Sequence, residues 1–567
     1  MKYPVGVINP TFCTRWFPII TLNKAFFPKT TVFLLLTNLL LFLSYPPANM
    51  GYLAWIALVP LFIFTVSGKK YLCLNTLLIG TVFFFVQLSW MRHVTYIAWV
   101  LLSLYCSVYF LLFAVCARYV VLKLKWPLIL AAPCLWAALE FIRSFFLSGF
   151  PWFFIGHTQY QWLPVIQISD ITGVYGISFI IVMVNAGIAD LILSCPGLKS
   201  LFAIERYRPC LFPNRKLVFT GVVCVLPLVT LIATLFYGFY RLKNYVPVDG
   251  PKVCLVQGNI PQDLKFESTE ADQVAILKKY FDLSKSAKDK SIDLLVWPET
   301  MMPGILNINP DLTGRKIDIL SQLTAVQLAQ DLGANLLVGG IALTLNGEQQ
   351  IYYNSAYHYN RLGSFVGRYD KIHLVPFGEF TPLKDYFPFL AGMVPYEIGL
   401  THGKNRTLFS LDTAANGRIT FGVSICYEDT VPSLMRRFRK DGAEFMLNIT
   451  NDGWFCNSAE LDQHLAIMVF RAVENRISLA RAANTGISAF VAPNGTIYDM
   501  LVDAQGKYRE ISGTLTNHVR LANKGISIYT RCGDWFGILC AVVSSAILLA
   551  AVFNIRMFSM DRQGMQS

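Results

Sequence analysis

The placement of apolar residues constrains this chain more than any single motif. Seven apolar runs crowd the first 240 residues, at about 31–44, 52–66, 72–90, 96–121, 126–146, 177–194 and 217–240, and an eighth covers about 535–553. Between them, residues 251–534 have the mixed composition of a globular domain. Runs of this kind have the length to cross roughly 30 Å of hydrocarbon. A backbone in hydrocarbon must satisfy its own polar groups, so each run is expected to be helical. The first two are short for a straight crossing and call for tilt, a kink or partial re-entry. No small-residue cleavage site follows the first run, which predicts no removed signal peptide.

The formal charge of +13 does not indicate nucleic acid. Much of the excess lies in short loops between apolar runs, and the globular part lacks basic stripes interleaved with aromatics. The basic residues instead predict topology. Lys2, Arg15, Lys24 and Lys29 precede the first run, Lys69 and Lys70 follow the second, and Arg118, Lys123 and Lys125 follow the fourth. Lys199, Arg206, Arg208, Arg215 and Lys216 follow the sixth, and Arg556 and Arg562 the last, while the alternate loops hold little beyond Arg92 and Arg143. By the positive-inside rule both termini are cytoplasmic and the globular part lies on the far side of the membrane. The expected organisation is a membrane domain at 1–245, an extracytoplasmic domain at 250–530, a last transmembrane helix at 534–555 and a cytoplasmic tail at 556–567. One outer loop, Ser148-Gly-Phe-Pro-Trp152-Phe-Phe-Ile-Gly-His157-Thr-Gln-Tyr, reads either as an interfacial aromatic belt or as the lining of a lipid path to the outer domain. The 13 cysteines form no C-x-x-C pair, so no zinc knuckle or disulfide framework is indicated, although pairing of Cys254 with Cys456 stays open. No metal-ligand or cofactor motif is evident.

In the globular half, strands are expected at 253–257, 292–296, 335–338, 418–425, 445–449, 478–481, 487–492 and 496–500. A hairpin is expected from 349–359 and 364–367, and amphipathic helices at 269–287, 312–332 and 460–475. This alternation of strands and helices, with hairpins added, argues a layered α/β sandwich.

Three strand ends carry ionisable residues. Arg418-Ile-Thr-Phe-Gly-Val-Ser-Ile-Cys426-Tyr-Glu428-Asp is an apolar run that stops at a thiol and two carboxylates. Leu294-Leu-Val-Trp-Pro-Glu299 and Gly367-Arg-Tyr-Asp-Lys371-Ile-His-Leu-Val-Pro-Phe-Gly-Glu379 end in the same manner. Each alone has a plain alternative: a small buried hydrophobe for Cys426, a helix cap for Glu299, and solvated surface for Lys371 and His373. Together they suit acyl chemistry, with Cys426 as nucleophile, Glu299 as general base and Lys371 as oxyanion stabiliser.

The order Trp-Pro-Glu299, Tyr-Asp-Lys371, Ile-Cys426-Tyr-Glu428 resembles the nitrilase (carbon–nitrogen hydrolase) superfamily. Leu255-Val-Gln-Gly-Asn-Ile-Pro-Gln262, His373-Leu-Val-Pro-Phe-Gly-Glu379-Phe and Thr450-Asn-Asp-Gly-Trp454-Phe strengthen the match. With seven spans before the domain and one after it, the chain resembles the apolipoprotein N-acyltransferases over nearly its whole length. The resemblance implies a multi-pass α-helical membrane bundle carrying an αββα nitrilase-like sandwich, in a bacterial inner membrane with the catalytic domain periplasmic. It implies transfer of the sn-1 acyl chain of a phospholipid, typically phosphatidylethanolamine, through a Cys426 thioester to the α-amino group of diacylglyceryl-cysteine in an apolipoprotein. It also places Glu379 and Glu428 at supporting acidic positions and Tyr427 beside the nucleophile. Phe266 stands where the family often has tryptophan, without its N–H donor.

Two apolar, Pro- and Gly-punctuated stretches, 386–396 and Met301-Met-Pro-Gly-Ile-Leu306, are expected to be mobile lids dipping into the lipid interface, the alternative being that both pack inside the domain. The competing functional classes are a tethered amidase hydrolysing a small amide, and a transporter or receptor. The spans carry few ionisable residues beyond Glu140 and Asp190, which weighs against a transport path.

Overall fold

The structure is a computed structural model that describes residues 27–67, 71–195, 216–266, 268–376, 378–380, 386, 399–413, 415–522 and 525–564. The apolar runs before the globular part form helices α1 (Phe27–Ser44), α2 (Val59–Ser67), α3 (Leu72–Gln87), α4 (Tyr96–Leu124), α5 (Leu128–Arg143), α6 (Val174–Ser194) and α7 (Lys216–Lys243). Among the described residues, four helices are long and apolar enough to cross a membrane: α4, α6, Gly221–Lys243 within α7, and Trp535–Phe553 near the end of the chain. The apolar helical stretches from the first three runs are shorter.

The fifth run was expected to stay helical to residue 146, but α5 stops at Arg143. There the buried guanidinium donates to the Phe153 carbonyl at 3.2 Å and lies over the rings of Phe84, Tyr109 and Phe154. The chain then turns through Leu147 and Ser148, both at positive φ. The two acids noted in the spans serve the bundle itself. Asp190 accepts the N–H groups of Leu128 and Ile129 at the start of α5 (3.1 and 3.0 Å). Glu140 accepts from Trp136 Nε1 and Ile155 N, both at 2.8 Å.

The described residues of the globular half contribute twelve strands to two six-stranded sheets. The first sheet has the order β12-β1-β2-β3-β4-β5, with β1 (Val248–Gln257), β2 (Leu294–Val296), β3 (Asn335–Asn346), β4 (Gln349–Tyr359), β5 (Phe365–Asp370) and β12 (Gly513–Leu521). The second has the order β11-β10-β9-β8-β7-β6, from β6 (Leu408–Thr413), β7 (Gly417–Ile425), β8 (Phe445–Thr450), β9 (Ser478–Ala483), β10 (Ala489–Val491) and β11 (Ile497–Met500). In each sheet the central three strands are parallel and the flanks antiparallel. Helices α8 (Glu270–Lys285) and α9 (Lys316–Leu332) cover the first sheet, and α10 (Pro432–Lys440) and α11 (Glu460–Asn475) the second. The α/β sandwich expected from the sequence is present, and α12 (Trp535–Gly564) follows it.

The expected strand at 335–338 runs on to Asn346 and pairs with all of β4, from Leu336↔Tyr359 to Asn346↔Gln349. Thus β4 forms the expected hairpin with β5 and pairs with β3 on its other side. Strand β6, helix α10 and strand β12 were not anticipated, because their polar residues blur the period that a buried face imposes. Helix α11 is buried on every side, which its moderately polar sequence does not predict. It lies between the second sheet and the turns of the membrane half that carry Trp90, Trp152, Asp170 and Val174. Glu474 Oε1 accepts Val174 N at 2.9 Å, Arg476 pairs with Asp170 at 2.7 Å, and Gln463 Oε1 accepts Trp90 Nε1 (3.1 Å) and Trp152 Nε1 (3.2 Å). These contacts fix the sandwich on the bundle.

One expectation is corrected here, and one open pairing is decided. Met301, Met302 and Leu306 belong to the core between the first sheet and its helices, so this stretch is packed wall rather than a lid. The apolar alternation of the segment is satisfied by α9 instead of by lipid. Cys254 is a free, buried thiol and Cys456 a free, exposed one, so they are not paired. The second proposed lid, including Phe387 and Phe389, lies outside the described residues apart from Tyr386. So do the basic positions 2–24, 69–70 and 199–215, the side chain of Phe266 and the side chains of the tail.

Candidate active site

The candidate residues sit just beyond the ends of strands that all reach the same edge of the sandwich. Strand β2 ends at Val296. Trp297 then anchors the chain, its ring tilted against Tyr280 with centroids 5.1 Å apart and its Nε1 donating to Ser284 at 2.9 Å. Pro298 breaks the ladder, and Thr300 follows at φ 53. Between them Glu299 is turned inward. Strand β3 passes so close that a Cβ on Gly339 would lie 2.3 Å from the Pro298 carbonyl oxygen, so no larger residue fits there. Cys426 follows β7 and itself has φ 53, a left-handed conformation that a non-glycine residue holds only under constraint. Such a bend exposes the side chain at a strand end.

Glu299, Lys371, Glu379 and Cys426 line one cavity of about 410 Å³. Lys371 is 1% exposed. Its ammonium donates to Glu379 Oε1 at 2.9 Å and lies 3.4 Å from Glu299 Oε1. Asn354 of β4 donates to both carboxylates, at 2.7 Å to Glu299 and 3.1 Å to Glu379. The far oxygen of Glu299 accepts Asn451 N at 2.9 Å, and that of Glu379 accepts Val375 N at 2.9 Å. One buried cation thus sits between two carboxylates whose remaining lone pairs have donors. Burial opposes the charge on Lys371, but Glu379 and Glu299 outweigh it and hold the ammonium well above its ordinary range. Burial and the Glu299 carboxylate push the Cys426 thiol well up, against the pull of Lys371. The resting sulfur is therefore protonated, and its attack needs a base.

Glu428 is fully buried and does not face this cavity. Its carboxylate accepts Ile372 N (2.7 Å), His373 N (2.9 Å), Ile425 N (2.8 Å) and the Tyr369 hydroxyl (2.8 Å). It ties the end of β7, where Cys426 begins, to the turn that presents Lys371. Tyr427 points the other way. Its ring stacks with Trp152 (centroids 6.3 Å apart, planes 1° apart), and its hydroxyl donates to Gly149 O at 3.2 Å.

A second cavity, about 290 Å³ and largely apolar, runs along α4 past Leu101, Leu102 and Tyr105 and under Leu147, Phe150 and Trp152. Met91, Ala98, Val375, Pro376, Cys426 and Phe455 line both cavities. Gly149, Phe150 and Trp152 of the loop at 148–160 are therefore wall for this cavity. Trp152, Phe153 and Phe154 are buried.

Among the described residues, Asp452, Glu460 and His464 lie close enough to hold a metal ion. Burial and Arg481 oppose a charge on His464, but Asp429, at 2.7 Å, and Asp452 outweigh them and raise the imidazolium to about 10. The Arg481–Asp429 pair extends this buried network of charges.

Two family models match the chain: the apolipoprotein N-acyltransferase N-terminal domain over residues 38–187, and carbon–nitrogen hydrolase over 252–520. A protein of Geobacter metallireducens named apolipoprotein N-acyltransferase is 36% identical over 534 residues, 92% of this chain and 94% of that one. The chain belongs to the apolipoprotein N-acyltransferase family. A family member from Bdellovibrio bacteriovorus is 26% identical over 94% of this chain and 91% of its own. Among solved structures, a Nesterenkonia amidase of the nitrilase superfamily is similar at TM-score 0.36 and 18% identity, covering 51% of this chain and 95% of that one. The chain is thus a membrane-bound acyltransferase with a carbon–nitrogen hydrolase domain.

Asn354 and Lys265 line the cavity, and Asn451 donates its backbone N–H to Glu299, without having been singled out from the sequence. The available signal was weak: Asn354 is one polar residue in the run Ile351-Tyr-Tyr-Asn-Ser-Ala, and Asn451 lies in a motif noted for family likeness only.

Proposed function

We propose that this protein moves the sn-1 acyl chain of a phospholipid, phosphatidylethanolamine being the expected donor, to the α-amino group of diacylglyceryl-cysteine at the N-terminus of a lipoprotein. Cys426 Sγ attacks the ester carbonyl while Glu299 takes the thiol proton. Lys371 stabilises the oxyanion. The tetrahedral intermediate collapses, Glu299 returns the proton to the departing glycerol oxygen, and a lysophospholipid leaves a thioester on Cys426. In the second half-reaction the amine attacks that thioester, Glu299 accepts its proton, and the amide forms as the sulfur leaves and is reprotonated. Glu379 holds Lys371 and shares its charge, Glu428 fixes the Cys426 turn, and Tyr427 braces the apolar cavity.

The observation that carries this reading is the meeting of two unlike cavities at Cys426, one holding the ionisable groups and one lined by α4 and the Trp152 loop. A hydrolase of small amides has no use for the second. On this reading a membrane domain at 1–245, an extracytoplasmic domain at 250–530 and an anchor at 534–555 set the thiol at the periplasmic face of an inner membrane, where both lipid substrates lie.

The test is intact-protein mass spectrometry of purified enzyme mixed with diacyl phospholipid, beside Cys426→Ala. A hydroxylamine-labile gain of one acyl chain, present in the parent and absent in the variant, is expected. No adduct together with no lysophospholipid released overturns the proposal.

A further inference from the structure

Lys265 lies on the wall of the larger cavity and is partly buried. Its ammonium donates to Thr300 Oγ1, its one hydrogen-bond acceptor among the described residues. Thr300 Oγ1 in turn donates to the Glu299 carbonyl at 2.8 Å. Thr300 is β-branched and held at φ 53, so its backbone is constrained and its hydroxyl fixed beside the base candidate. Burial lowers the Lys265 ammonium to about 8, with the Glu299 carboxylate opposing that shift. A partly buried ammonium that faces the cavity with only a neutral hydroxyl as its hydrogen-bond acceptor has donors left to offer an anion there. Arg315 lines the same cavity, but its guanidinium is already paired with Asp318 at 3.7 Å, which among the described residues leaves Lys265 as the cation without a paired carboxylate hydrogen bond on this wall. The wall between is apolar, formed by Met301, Met302 and Ile305.

We propose that Lys265 is the anchor of an anion subsite that takes the phosphodiester of the acyl donor. This rests on the phospholipid-to-thioester reading above. The ester carbonyl of an sn-1 chain is only a few bonds from the phosphorus. A phosphodiester held at Lys265, one hydroxyl away from the Glu299 backbone, therefore keeps that carbonyl on the wall that carries Cys426. The subsite also separates the two lipids that must use the cavity in turn. The donor carries a phosphate and the diacylglyceryl acceptor does not, so Lys265 holds the first and offers nothing to the second. Release of the lysophospholipid then frees the ammonium again.

The experiment measures the rate of hydroxylamine-labile acyl-enzyme formation by the full chain in detergent, with a diacyl phospholipid and with an uncharged diacylglycerol of the same chains. The readout is the ratio of the two rates. In the parent the phospholipid is favoured, and Lys265→Met lowers the ratio by roughly tenfold or more, the size of a lost charge-assisted hydrogen bond. Lys265→Arg keeps the ratio within a few-fold. A merely structural lysine slows both donors together, and an unchanged ratio in Lys265→Met overturns the subsite. Inorganic phosphate is the third arm. Strong inhibition of the diacylglycerol reaction by phosphate, lost in Lys265→Met, would identify a site for free phosphate and overturn the headgroup assignment. Absence of any adduct in the parent defeats the thioester reading itself, whereas an adduct with an unaltered ratio defeats the subsite alone.

Discussion

Replacing Lys371 by methionine separates what the buried cation does for the fold from what it does for the reaction. Lys371 is 1% exposed and lies 2.9 Å from Glu379 and 3.4 Å from Glu299. Methionine keeps most of the volume but leaves two buried carboxylates with Asn354 as their shared donor. Removing one partner of a buried ion pair costs about 3–5 kcal/mol. Loss of an oxyanion donor costs about 2.7–4 kcal/mol in the transition state, or roughly 10²–10³ in rate. Lys371→Met is therefore expected to melt well below the parent in detergent and to form acyl-enzyme at least about a hundredfold more slowly. The decisive comparison is the double variant Lys371→Met/Glu379→Gln. It removes one of the stranded charges and so regains part of the lost stability, on the order of 1–3 kcal/mol, without regaining rate. The assays are thermal unfolding by intrinsic fluorescence and timed mass spectrometry of the Cys426 adduct. Acyl-enzyme formation at the parent rate in Lys371→Met, or no recovery of stability in the double variant, would refute the reasoning.

Three further outcomes follow from the geometry. Ala98→Trp fills the junction of the two cavities on a partly exposed face of α4; it should suppress acylation by long-chain phospholipid roughly a hundredfold and by a short-chain homologue far less, and equal suppression of both would count against the second cavity as the acyl groove. His464 is charged in the fold up to about 10, against an ordinary value of 6.5; its contribution to stability is full below the unfolded value and is lost as pH rises through the folded one. The parent's melting temperature should thus fall more steeply between pH 7 and 10 than that of His464→Gln, and parallel slopes would contradict the ion network. Lys265, lowered to about 8, carries its charge below that pH and loses it above, so the preference for phospholipid over diacylglycerol should decline as pH rises through about 8 in the parent and persist in Lys265→Arg; a flat ratio in the parent would refute it.

The apolar runs dictate helices because hydrocarbon leaves a backbone no other way to pair its polar groups. The motif residues at 299, 371 and 426 stand out because each interrupts a strand with an ionisable group. Those signals are local and so can be read along the chain. The contribution of Asn354 depends on β4 lying next to β5, and that of Asn451 on the second sheet facing the first. Glu428 is conspicuous in sequence only as a neighbour of Cys426, yet three of its four donors, Tyr369, Ile372 and His373, lie back in the segment at 369–373. Met301 and Met302 show the converse. Their apolar, Pro-punctuated context looks like a lipid-seeking loop, and only the packing of α9 over the first sheet explains where that surface is buried. Helix α11 was found at its expected bounds, but its burial on all sides follows from the bundle beneath it. The sequence by itself determined which residues could do chemistry and which segments had to be helical, since those properties belong to side chains and to the solvent each segment meets. Only the tertiary structure decided that one cation stands between two carboxylates and that two cavities meet at the thiol, because distances between residues far apart in the chain are set by sheet pairing and interdomain packing rather than by local pattern.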